Sequence, residues 1–140
     1  MSVDHEEFNR KLIADLRTHE GQATSGPFVG RDVLIVTSRG ARTGEVRETP
    51  LVYTRDGDNL VIIASKGGSP SHPGWYHNLK TNPEVTLEVG GERYPAIAEE
   101  AHAAERDRLY GAQAALMPAF TEYQANTTRK IPVFVLKRKV

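Results

Sequence analysis

This sequence predicts a mainly β fold: a six-stranded antiparallel barrel with a few flanking helices. Six short β-rich runs are joined mostly by hairpin signals, and few helical segments lie between them. There is no βαβ alternation and no GxGxxG loop, which argues against a Rossmann domain. At 140 residues the chain can bury one respectable core. The expected division is an N-terminal helix and linker over 1–29, followed by the barrel over 30–140.

Phe8, Leu12, Ile13 and Leu16 fall at spacings of four, one and three, the narrow apolar stripe of a helix over 4–18. The stretch 21–30 is rich in small residues and turn formers and reads as a linker. Residues 32–38 are β-rich and mostly apolar, 39–45 form a loop with two glycines, and 46–54 return as a strand, which makes a hairpin. The Asp56-Gly57 pair is a strong turn signal and leads into the strand 60–65. Pro73-Gly74 can open a helix over 75–80 that Asn82-Pro83 stops. Residues 84–89 alternate polar with apolar, Gly90-Gly91 turns the chain, and 92–99 run back. The Ala-, Glu- and Arg-rich stretch 100–116 is the clearest helix, and a short one covers 118–126. The last strand is 131–137, with Pro132 near its start suggesting an edge.

Composition excludes several functions. Eighteen basic residues balance eighteen acidic ones, so no overall field attracts nucleic acid. The absence of cysteine removes a thiol nucleophile, an iron–sulfur cluster and a thiolate zinc site, and it suits a reducing cytosol. His72 and His77 are five apart, not at the i, i+4 spacing of two metal ligands on one helical face, so no metal site is expected. No apolar stretch reaches the roughly 18 residues that a membrane span needs. The expectation is a cytoplasmic protein. A peripheral membrane contact through the N-terminal helix is left open, as is the oligomeric state.

The chemistry concentrates in two places. Ser65-Lys66-Gly67-Gly68 directly follows a strand, where glycines let backbone N–H groups converge on an oxyanion and Lys66 adds charge. Trp75 and Tyr76, a few residues on, can stack on a planar ring. A ligand both phosphorylated and aromatic points to a redox cofactor. The first hairpin loop places Arg39, Arg42 and Arg47 within nine residues, and guanidinium groups suit a polyanionic tail. On the short helix after the long one, Met117, Phe120 and Tyr123 recur at three-residue spacing. They either pack onto the barrel or form a lid over a bound ring.

Several runs occur in order: Thr37-Ser38-Arg39-Gly40-Ala41-Arg42-Thr43-Gly44, Arg47-Glu48-Thr49-Pro50-Leu51, Ala64-Ser65-Lys66-Gly67-Gly68, Pro73-Gly74-Trp75-Tyr76-His77-Asn78-Leu79 and Arg129-Lys130-Ile131-Pro132-Val133. Together they resemble the deazaflavin-dependent nitroreductase family of actinobacteria, whose cofactor is coenzyme F420, from about residue 30 onward. The resemblance implies a split β-barrel related to FMN-binding barrels. It implies that Ser65 and Lys66 bind the cofactor's phosphate region. Ala41, Arg42, Thr43 and Arg47 would hold its phosphate- and carboxylate-bearing tail. Thr49, Pro50, Leu51 and Val52, the strand end Ile63-Ala64, and Gly74, Trp75, Tyr76, His77 and Asn78 would wall the deazaflavin.

The implied activity is hydride transfer from reduced F420 to a quinone-like or other electrophilic acceptor, with Met117, Phe120 and Tyr123 around the acceptor and Tyr123 as the catalytic phenol. The family member that activates nitroimidazole prodrugs carries tyrosines along the lid helix. Met117 and Phe120 stand at two of those positions here, which argues against nitroimidazole reduction. Two alternatives share the same motifs: a non-catalytic F420 carrier, and an FMN-dependent oxidase on the same barrel.

Overall fold

Period-2 alternation decides which side of each strand is buried, and the sheet order decides what covers it. The computed structural model describes residues 2–139. Helix α1 (Ser2–Thr18) precedes β1 (Val33–Arg39), β2 (Val46–Val52), β3 (Thr54–Asp56) and β4 (Asn59–Ile63). A 3-10 turn (Lys66–Gly68) and α2 (Gly74–Thr81) follow. Then come β5 (Glu84–Val89), β6 (Glu92–Ala101), α3 (Ala103–Leu116), α4 (Ala119–Ala125) and β7 (Val133–Arg138). All pairings are antiparallel, in the order β2-β1-β5-β6-β7-β4-β3.

The sheet therefore has seven strands, not the expected six. The run 46–54 is interrupted at Tyr53. Up to Val52 it pairs with β1, and the Tyr53 N–H still donates to the Asp32 carbonyl at 3.1 Å. From Thr54 it pairs with β4. One segment thus supplies both outermost strands, and the sheet curls until its two ends are contiguous in the chain. The Tyr53 side chain is buried inside that curl and holds the crossing point in place.

Pro132 marks a strand start and not an edge. β7 lies between β6 and β4, and it begins at Val133 because Pro132 has no N–H to give the ladder. The Pro132 carbonyl instead accepts from the Ala64 N–H at 2.9 Å.

Inside the curl sit Leu34 and Val36 of β1, Leu60 and Ile62 of β4, and Phe134 and Leu136 of β7, with Trp75 and Leu79 entering from α2. The opposite side of β4 and β7 (Val61, Ile63, Val133, Val135) is covered by Leu109, Tyr110 and Phe120 of α3 and α4. Val33 and Ile35, on the outer side of β1, receive Leu12, Ile13 and Leu16 of α1, each burial contributing about 1.5–3 kcal/mol. Arg17, in the last turn of α1, fixes that helix by a fork onto Glu88 (2.9 and 2.7 Å) and a further bond to Glu48. No helix among the described residues is long and apolar enough to cross a membrane.

Candidate functional site

Antiparallel register gathers the chemistry-bearing segments at one end of the curled sheet. Arg39, the last residue of β1, pairs with Val46, the first of β2. Ile63 at the end of β4 and Ala101 at the end of β6 both pair with Val133 at the start of β7. Thr37 opposite Thr86 brings the start of β5 to the same end. The arginine loop, the turn after β4, α2 and the segment before β7 therefore share this end.

The turn after β4 has the backbone geometry of an anion-binding nest. Ser65 is right-handed helical (φ −74°, ψ −39°), and Lys66 follows with φ 46°. A right-handed residue followed by a left-handed one directs successive N–H groups into one concavity. Gly67 and Gly68 continue at φ 63° and 82°. Lys66 is exposed and its Nζ donates to Ser71 Oγ at 3.3 Å.

The underside of this turn is held by Arg129. Its Nε donates to the Ser69 carbonyl at 2.9 Å and its Nη2 to the Ser65 carbonyl at 2.7 Å. Its Nη1 donates to the Ala64 carbonyl at 3.1 Å and to His72 Nδ1 at 3.0 Å. Burial, then the Arg129 cation and His77, hold the His72 imidazole below its ordinary 6.5, while Glu100 acts the other way. The His72 ring stacks on Tyr76 at 4.1 Å.

Helix α2 joins the turn to the arginine loop. Asn78 Oδ1 accepts the Ala41 N–H at 2.9 Å, one helical turn along from Gly74. Arg42 and Thr43 are exposed, and Arg47 pairs with Glu45 at 3.0 Å with both side chains in solvent, a contact of little worth that a ligand can replace. Among the described residues no ion pair occupies Lys66 or Arg42. Along the predicted ring wall, Gly74 and His77 are exposed, Thr49, Leu51, Val52, Tyr76 and Asn78 half-buried, and Pro50, Ile63 and Ala64 buried. The Trp75 ring, 9% exposed, belongs to the interior core beside Phe134.

The predicted lid residues lie on the other side of the sheet. Phe120 is buried against Tyr110 and Tyr123, with ring centroids at 6.3 and 5.1 Å. Met117 and Tyr123 remain half-buried, and the Tyr123 hydroxyl makes no hydrogen bond among the described residues. The two groups meet at Gly68, where an added Cβ would lie 2.8 Å from the Tyr123 carbonyl oxygen. Helix α4 thus rests directly on the anion turn. Arg129 is the residue of this region to which the sequence assigned no role. Its signals in the sequence were its place in the run Arg129-Lys130-Ile131-Pro132-Val133 and a cation shortly before the last strand.

Residues 8–138 match the profile of the F420H(2)-dependent quinone reductases. The chain belongs to that family. An F420H(2)-dependent quinone reductase of Mycobacterium tuberculosis is 44% identical over 109 residues, 76% of this chain and 73% of that one. The solved structure of an F420-H2 dependent reductase superposes with a TM-score of 0.70 at 36% identity, covering 76% of this chain and 95% of that one. A second solved structure, described only as a domain-swapped dimer, gives 0.72 at 31% identity over 98% of this chain and 100% of its own. The heme storage protein HutZ of Vibrio cholerae shares the fold alone, at 11% identity and a TM-score of 0.60 over 91% of this chain and 88% of that one.

Membership of the F420H(2)-dependent quinone reductases makes this an oxidoreductase that uses coenzyme F420, on the split barrel expected from the sequence. The turn fits such a cofactor. Its left-handed Lys66, its exposed ammonium and the unpaired Arg42 suit a phosphate followed by a carboxylate-bearing tail.

Proposed function

We propose that this protein reduces a quinone or similar planar, weakly polar acceptor with F420H2, holding the cofactor across the barrel end between the turn 65–68 and the arginine loop 39–45. The observation that carries the reading is the right-then-left-handed pair Ser65-Lys66 beside a loop with an uncommitted Arg42.

Ser65 and Lys66 would bind the phosphate through backbone N–H groups and the ammonium, and Arg42, Arg47 and Thr43 the tail beyond it. The half-buried strand 49–52 and the α2 residues Tyr76, His77 and Asn78 would line the ring, with Trp75 supporting them from the core. F420H2 supplies a hydride, and one hydride with one proton converts a quinone to a hydroquinone. Tyr123, its hydroxyl without an internal partner, would orient the acceptor oxygen or give it the proton, with Met117 and Phe120 fixing the phenol's position.

Fluorescence titration with F420 and with FMN, then turnover of F420H2 with a menaquinone analogue, tests this. F420 should bind in preference to FMN and F420H2 should be oxidised only when the quinone is present. Tight FMN binding without F420 binding overturns the reading, and binding without turnover makes the protein a carrier.

A further inference from the structure

We infer that Arg129 is the positioning residue of the anion turn, aiming the Ser65 and Lys66 N–H groups outward by holding the carbonyls behind them. The inference rests on the reading that this turn receives the cofactor's phosphate.

The argument starts from the peptide plane. In a trans peptide the carbonyl of one residue and the N–H of the next point in opposite directions, and no peptide of the described chain is cis. Arg129 takes the Ala64 carbonyl at 3.1 Å and the Ser65 carbonyl at 2.7 Å. Holding these two consecutive oxygens fixes the two planes that carry the Ser65 and Lys66 N–H groups and turns both away from the guanidinium. The third carbonyl, Ser69, closes the far side of the turn at 2.9 Å. Arg129 itself thus sits on the side opposite the ligand.

Strain explains why the turn needs such a clamp. Lys66 is left-handed at φ 46° without being glycine, a conformation that persists only where the surroundings over-determine it. The planar fork of an arginine can satisfy four acceptors at fixed angles, whereas a lysine ammonium is a compact point charge. The clamp is itself anchored in α4. Gln124 Nε2 donates to the Arg129 carbonyl at 2.8 Å, and Gln124 Oε1 accepts from Arg106 Nη2 at 2.6 Å and from the Ile131 N–H at 3.1 Å. Arg129 therefore ties the lid helix to the phosphate turn.

The test compares Arg129→Lys with Leu12→Ala, using F420 affinity by fluorescence and melting temperature as readouts. Leu12 is buried where α1 seats on β1, outside the Arg129 network and away from the turn. Arg129→Lys should weaken F420 binding by about tenfold or more, the scale of an outer-shell positioning residue. Leu12→Ala should lower the melting temperature through the cavity it leaves and keep affinity unchanged. Equal affinity in folded Arg129→Lys overturns the inference, as does an equal loss in Leu12→Ala, which would make both effects general destabilisation.

The wild-type protein supplies an independent check that needs no variant. In amide 1H–15N spectra the Ser65 and Lys66 resonances should move downfield on adding F420, and unmoved amides overturn the inference whatever the variants do. If wild-type protein does not bind F420 at all, the underlying reading falls. If it binds and both amides move, while Arg129→Lys binds as well as wild type, only the Arg129 inference falls.

Discussion

Lys66 sits where an L-residue pays about 1–2 kcal/mol in backbone strain, and it is still not glycine. On the proposed function, its ammonium offsets that cost by holding the cofactor's phosphate. Lys66→Ala and Lys66→Gly should both weaken F420 binding by about 1.5–3 kcal/mol, the scale of a lost charge-assisted bond. In denaturant titrations the glycine variant should be the more stable by about 1 kcal/mol, because only it relieves the strain. Equal affinity in both variants and wild type would remove the ammonium from the site. Tyr123 gives a second residue-scale prediction. Tyr123→Phe should lower quinone turnover by about tenfold while F420 affinity and melting temperature hold, since the hydroxyl has no hydrogen bond to lose among the described residues. The Ser-Lys-Gly-Gly cradle was legible in the sequence because local conformation and charge carry it. Arg129 was not, because its acceptors are carbonyls some sixty positions away along the chain.

Helix α4 and the anion turn touch backbone to backbone, which makes Gly68 the seam between two elements. A methyl group there would meet the Tyr123 carbonyl oxygen at 2.8 Å and Cα at 3.0 Å, at a residue with φ 82°. Neither neighbour is a flexible side-chain end, so α4 must shift. Gly68→Ala should lower stability by about 2 kcal/mol or more, combining left-handed strain with the displacement. Calorimetry would show the lower melting temperature, and the KM for quinone should rise as Tyr123 moves. A normal melting temperature would mean that α4 is not seated on the turn. Most elements were legible, because alternation, the Asp56-Gly57 and Gly90-Gly91 turns and the Ala-rich helix are local signals. The interruption at Tyr53 was not. Residues 46–54 are uniformly β-rich, and only the curl of the whole sheet decides where the strand changes partners.

Over the whole molecule, protons should undo the fold in two stages. His72 is held below 6.5 by burial, with Arg129 and His77 acting in the same direction and Glu100 against it. The unfolded chain therefore takes up this proton first. The stability from neutral His72 is complete above pH 6.5 and is lost as pH falls through the lowered folded value. Protonated His72 would also set an N–H against the Arg129 fork, so F420 affinity should decline over the same range. Glu88, held below its ordinary 4.5 mainly by its bonds to Arg17, makes the second stage. That contribution is present above 4.5 and disappears as pH falls through its lowered folded value, loosening α1 from β5. Urea midpoints measured from pH 7 to pH 3, with His72→Gln as control, check the order. The variant should lose the first stage and keep the second.

The placement of β7 between β4 and β6 has a consequence for synthesis. β4 and β6 leave the ribosome well before the strand that must pair with both of them. Until Val133–Arg138 emerges, each displays a row of unanswered backbone donors and acceptors, and the curl cannot close. Arg129 precedes this strand by only a few residues, so the nascent chain gains its closing strand and the arginine that braces the turn 65–69 almost together. A premature stop just before Arg129 would therefore leave an open, sticky sheet that needs chaperones, not a slightly weakened enzyme.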